Sequence, residues 1–125
     1  MRELHLFAGA GGGILGGILL GHVPVCAVEI NPYCRKVLAA RQADGCLPAF
    51  PILEDVRAFD GTVWRGKVDV VCGGFPCQPW STAGKRLGTE DPRHLWPEMA
   101  RIISEVRPAY VFAENVSLAA FEQPW

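Results

Sequence analysis

The feature that most restricts this chain is a glycine-rich turn held between two apolar runs. Glu3–Phe7 reads as a short strand, Gly9-Ala10-Gly11-Gly12-Gly13 follows it, and Ile14–Leu20 reads as a helix despite Gly16 and Gly17. Glycine is unfavourable inside helices, so these glycines imply a helix that approaches its neighbour closely. A strand that turns through glycines into a helix opens a parallel α/β sheet. In such sheets the backbone N–H groups at the strand's carboxyl end face a ligand.

The rest of the chain keeps the alternation. Val25–Glu29 is a second strand, and Asn31-Pro32 starts a helix over Pro32–Ala43, because asparagine caps free N–H groups and proline suits the first turn. Pro51–Leu53 is a weak third strand; Val68–Cys72, ending in Gly73-Gly74, is a buried fourth. Leu95–Val106 is the clearest amphipathic helix, with Trp96, Met99, Ile103 and Val106 on one face and Glu98, Arg101 and Glu105 on another. Pro108 stops it, and Tyr110–Ala113 is the fifth strand. With no repeat, low-complexity tract or linker, the 125 residues read as one α/β unit of the Rossmann kind.

Composition narrows the functional classes. The net charge of −1 gives no bulk attraction to nucleic acid, so DNA contact would fall to a local patch such as Lys85, Arg86 and Arg93. That segment reads equally well as a solvated loop. No secretory leader is visible, and no apolar run nears the ~18 residues that span a bilayer. The five scattered cysteines read as free thiols in a reducing cytoplasm. None has the paired spacing of a zinc site.

Three constellations carry chemistry. The first is Phe7 to Gly13 with Glu29, an acid at the second strand's end where a nucleoside's ribose hydroxyls are held. Gly11-Gly12-Gly13-Ile14-Leu15-Gly16 also fits G-x-G-x-x-G, so a dinucleotide such as NAD stays open. Asp55, after the third strand, lies on the same rim. The second is Gly73-Gly74-Phe75-Pro76-Cys77-Gln78, directly after the fourth strand. Cys77 is the cysteine flanked by prolines and glycines in a loop, whereas the other four lie in or beside regular elements and read as packing residues. Taken alone, nucleophile and ordinary thiol are equal readings of Cys77. The third is Glu114-Asn115-Val116 at the fifth strand's end, expected near Cys77; alone, Glu114 reads as a strand-end acid. None of His5, His22 and His94 is placed to serve a hydrolytic cysteine. Cysteine plus carboxylic acid instead suits addition to a heteroaromatic ring.

Together these residues resemble the DNA (cytosine-5) methyltransferase family from Leu4 to Val116. Phe7, Gly9, Ala10, Gly11 and Gly12 are similar to its cofactor loop; Glu29 with Ile30 and Asp55 with Val56 match its ribose and adenine contacts. Pro76-Cys77-Gln78 matches its nucleophile motif, Leu95 its adenine-flanking segment, and Glu114-Asn115-Val116 its N3-contacting motif. The resemblance implies a Rossmann-like S-adenosylmethionine-dependent methyltransferase sheet, truncated after the fifth strand, and no metal. It implies that Cys77 adds to C6 of a flipped cytosine while Glu114 engages N3, and that C5 then takes the methyl group. It further implies double-stranded DNA as partner, and a prokaryotic or phage-encoded restriction–modification enzyme in the cytoplasm at the nucleoid.

The chain departs from the pattern in places. His5 stands where the family has aspartate, Ile30 where it often has an aromatic residue, and the usual Arg-Gly or Ser-Gly before Leu95 is absent. The Gln-x-Arg-x-Arg segment, the target-recognition domain and the C-terminal helix are missing. Residues 1–125 are therefore expected to be the N-terminal portion of the catalytic domain, inactive alone, with a completing chain if the gene is split. A non-catalytic remnant that binds S-adenosylmethionine or a partner is the alternative, followed by an NAD-dependent oxidoreductase.

Overall fold

The computed structural model describes residues 1–75 and 95–114. Its strands are β1 (Arg2–Leu6), β2 (Val23–Val28), β3 (Ile52–Leu53), β4 (Val70–Gly74) and β5 (Tyr110–Glu114). All pair in parallel, in the order β3-β2-β1-β4-β5. The expected α/β sheet is thus present, with all carboxyl ends on one rim.

Helices α1 (Gly12–Leu19) and α2 (Pro32–Ala43) cover one face over a core of Ile14, Ala27, Leu38, Leu47 and Phe50. Helix α3 (Trp96–Val106) covers the other, packing Met99, Ile102 and Val106 against Leu4, Leu6, Val28 and Val71. Strand alternation explains the division: Leu4 and Leu6 point to α3, while Glu3 and His5 point to the α1 side. Of the two isoleucines of α3, Ile102 is the fully buried one, and Ile103 is only half-buried at the border of the core.

Local chemistry sets the element ends. Asn31 Oδ1 accepts from the Tyr33 and Cys34 N–H groups at 2.9 and 3.2 Å, with Pro32 in the first turn, as expected for α2. Gly17 lets α1 lie on the sheet, since a Cβ there would come within 2.8 Å of the Glu3 carboxyl carbon. Strand β2 begins at Val23 rather than Val25, and Pro24 explains the irregularity inside it. Glu3 pairs with Pro24 and Leu4 with Cys26, so Val25 is an extra residue beside a proline that has no N–H for the ladder.

The return from β3 to β4 contains two single-turn 3-10 helices with no hydrophobic period to announce them, Val56–Ala58 and Gly61–Trp64. Each is started by an aspartate: Asp55 accepts from Arg57 N–H at 2.9 Å, and Asp60 from Thr62 N–H at 2.9 Å. Arg101 of α3 then donates to the Phe59 and Val56 carbonyls at 2.9 and 2.8 Å, and Glu105 accepts from Gly61 N–H at 2.8 Å. The polar face read from the sequence is this clamp, with Arg101 also paired to Glu98 and Glu105.

Candidate active site

The glycine loop takes its shape from left-handed backbone. Phe7, Gly9 and Gly11 have φ of 53°, 58° and 98°, and Phe7 is one of two non-glycine described residues in that region. The loop is anchored through Ala8 N–H to Val28 C=O at 3.1 Å. Gly11 is fixed by packing as well, because a Cβ there would come within 2.9 Å of Leu38 on α2. Gly13 faces His5, and Gly16 faces open space. Of the three glycines of the dinucleotide-like pattern, Gly11 alone is required by backbone and packing. Ala10 and Gly12 are exposed.

Glu29 is the junction of this rim. Its side chain is nearly buried, with Oε1 accepting from Gly9 N–H at 2.7 Å and Oε2 from Asn31 N–H at 2.8 Å. One carboxylate thus joins the loop after β1 to the start of α2. Arg35, which the sequence reading did not single out, donates to the Glu29 and Ile30 carbonyls at 2.9 and 2.7 Å and steadies the same turn. An arginine on the helix that follows such an acid is the signal that would have found it.

Phe7, Glu29, Ile30, Asp55, Val56 and Leu95 line one cleft of about 70 Å³, together with Val28, Glu54 and Arg57. Six residues expected at a nucleoside from four separated segments therefore meet at one place. The donor set suits such a ligand: a carboxylate for vicinal hydroxyls, apolar walls from Phe7, Ile30, Val56 and Leu95, and Asp55 at the edge. The cleft is too small to enclose a nucleoside, so a ligand would rest against it on an open side.

The other end of the rim holds Glu114. It pairs with Gly74 across β4 and β5, and a Cβ on Gly74 would lie 2.9 Å from Glu114 Oε2. The absent side chain at Gly74 is what lets the carboxylate lie across the end of β4. Gly73 is equally confined, with Met99 at 3.1 Å and the Leu6 carbonyl at 3.2 Å from a Cβ. Pro76, Cys77, Gln78, the Lys85–Arg93 segment, His94, Asn115 and Val116 lie outside the described residues.

Two readings of single residues change. Cys46 is exposed and Cys34 and Cys72 are half-buried, so none of the three is a simple packing residue, whereas Cys26 is fully buried. Burial pushes the Cys26 thiol up to about 11. His5 and His22 both hydrogen-bond to Glu3, at 2.7 and 2.6 Å, on the α1 side of the sheet. Among the described residues no helix is long and apolar enough to cross a membrane.

Known proteins resemble this chain along most of its length. The family model for C-5 cytosine-specific DNA methylase matches residues 1–120. The chain is 45% identical over 115 residues to the type II methyltransferase M.PspPI of Psychrobacter, covering 90% of this chain and 26% of that protein. It is 44% identical to M.Eco47II of Escherichia coli, with the same coverage. The crystal structure of an E. coli prophage-encoded protein, provisionally named a DNA modification methyltransferase, superposes with a TM-score of 0.73 at 28% identity. That match covers 93% of this chain and 32% of the other. The chain thus spans about a quarter to a third of the length of these proteins.

Proposed function

Because the chain belongs to the C-5 cytosine-specific DNA methylase family, we propose that residues 1–125 are the N-terminal, cofactor- and nucleophile-bearing portion of a catalytic domain. That domain methylates C5 of cytosine in double-stranded DNA with S-adenosylmethionine. The observation that carries this reading is the meeting of Phe7, Glu29, Ile30, Asp55, Val56 and Leu95 in one cleft, with Glu114 lying over Gly74 just before Cys77 in the chain.

In this reading Glu29 holds the ribose hydroxyls, Asp55 accepts from the adenine amino group, and Ile30, Val56 and Leu95 pack about the base. Bound there, S-adenosylmethionine supplies an electrophilic methyl group. The Cys77 thiolate adds to C6 of a cytosine turned out of the duplex, and Glu114 engages N3, stabilising the charge that develops on the ring. The methyl group would pass to C5 with its S–CH3 bond's electrons left on S-adenosylhomocysteine; the C5 proton leaves to base, and the Cys77–C6 bond breaks to restore the ring. A thiol performs this only with its pKa lowered by its surroundings.

Calorimetry tests the cofactor: S-adenosylmethionine binds and NAD does not. Binding of NAD alone would sink the reading. By themselves the 125 residues bind cofactor without methylating DNA; labelled methyl transfer to DNA would contradict that. Supplying a chain that carries the Gln-x-Arg-x-Arg segment and a recognition domain restores transfer. Continued silence would identify a non-catalytic binding module instead.

A further inference from the structure

The α1-facing side of the sheet holds a polar group that the proposed methyl transfer does not use. Parallel strands buried on both faces are usually continuous runs of Val, Ile and Leu. Here β1 carries Glu3 and His5, each 5% exposed, and His5 pairs in register with Cys72 of β4. A carboxylate oxygen of Glu3, a ring nitrogen of His5 and Cys72 Sγ all lie within 4.8 Å of one another. His22 holds the other Glu3 oxygen at 2.6 Å. The Glu3–His5 and Glu3–His22 hydrogen bonds account for the acid and the imidazoles, but they leave the thiol unexplained.

We propose that Glu3, His5 and Cys72 form a mononuclear site for a divalent cation of zinc's type. One carboxylate, one imidazole and one thiolate are a donor set that zinc accepts, and three protein ligands leave a fourth position open. All three residues line a cavity of about 670 Å³ that extends past Tyr110 to Gly74 and Glu114, and an ion enters through it. Gly17 keeps the carboxylate in place, since any side chain there would displace it. His22 acts as the outer partner that orients Glu3.

Binding balances simply. The Cys72 S–H bond breaks, its proton goes to solvent, and the sulfur's electron pair forms the metal bond. His5 turns its facing nitrogen from Glu3 to the ion and carries its ring proton on the other nitrogen. Burial and the Glu3 charge push the free Cys72 thiol up to about 11, and a bound cation reverses that tendency.

Cobalt(II) titration of the metal-free chain tests the site. One equivalent gives thiolate-to-cobalt charge-transfer absorption that zinc abolishes. Cys72→Ser removes the band, while Cys46→Ser, on an exposed thiol, keeps it. His22→Gln keeps the band but weakens cobalt binding at least about tenfold. No band with excess cobalt, a band undiminished in folded Cys72→Ser, or unchanged affinity in His22→Gln would overturn the proposal. The last readout decides the matter if Cys72→Ser does not fold.

Discussion

Glu29 ties two elements together and, in the proposed site, would serve the ligand as well. Its two oxygens already accept from Gly9 and Asn31 N–H groups, and each oxygen has a further lone pair to offer. Glu29→Gln keeps the shape but replaces one acceptor by a donor facing an N–H group. We expect S-adenosylmethionine affinity to fall by about tenfold or more, the worth of a charge-assisted hydrogen bond, as read by calorimetry. Gly74 makes the complementary point by absence. Gly74→Ala would push the Glu114 carboxylate off the end of β4. In an assembled enzyme this should lower kcat with little change in KM for the cofactor; the reverse pattern would show that Glu114 does not lie at the chemistry. The glycine loop, Glu29 and Asp55 were legible in the sequence because each sits at a strand end, where the topology forces convergence. Arg35, the Glu3–His5–His22 group and the exposure of Cys46 were not, since they depend on which side chains face one another across elements.

At the scale of elements, α3 and the two 3-10 turns act as one body. Arg101 donates to the carbonyls of Val56, which starts the first turn, and Phe59, which follows it, and Val56 lines the cleft proposed for the cofactor. Arg101→Ala would leave those carbonyls without this donor and cost about 1–3 kcal/mol by urea unfolding, with weaker S-adenosylmethionine binding in the same variant. A change in stability alone would mean that the turn and the cleft are uncoupled. A second clasp joins the starts of β1 and β4, where Arg2 donates to Asp69 at 2.7, 3.1 and 3.0 Å. These bonds hold the Asp69 carboxyl well down, from the usual 3.8 to about 2. A depressed acid stabilises the fold above its unfolded pKa and loses that contribution as pH falls through the folded one. The urea midpoint of wild type should therefore exceed that of Asp69→Asn at neutral pH, and the gap should close between about pH 4 and 2. Apolar runs and helical periodicity found the five strands and three α-helices of the described residues. The 3-10 turns escaped because a single turn has no period, and their only trace is an aspartate followed two residues later by the N–H it caps.

For the molecule as a whole, β5 is one of two edge strands among the described residues, with Tyr110 63%, Val111 44% and Phe112 68% exposed. Apolar side chains on an outer strand invite association. The 125 residues alone should self-associate by light scattering, less so as Phe112→Lys; a monodisperse wild type would contradict this. The same face suits a completing chain. The sheet carries a last consequence in its one irregular register. Val25 is the residue without a partner, and it packs on the same core as Cys26. An in-frame loss of codon 25 would leave Pro24 opposite Glu3 and Cys26 opposite Leu4 with every later side chain still facing as before. Loss of codon 27 would turn the strand's end over and carry the acid at its tip to the wrong side. Deletions only two codons apart are thus expected to have opposite fates.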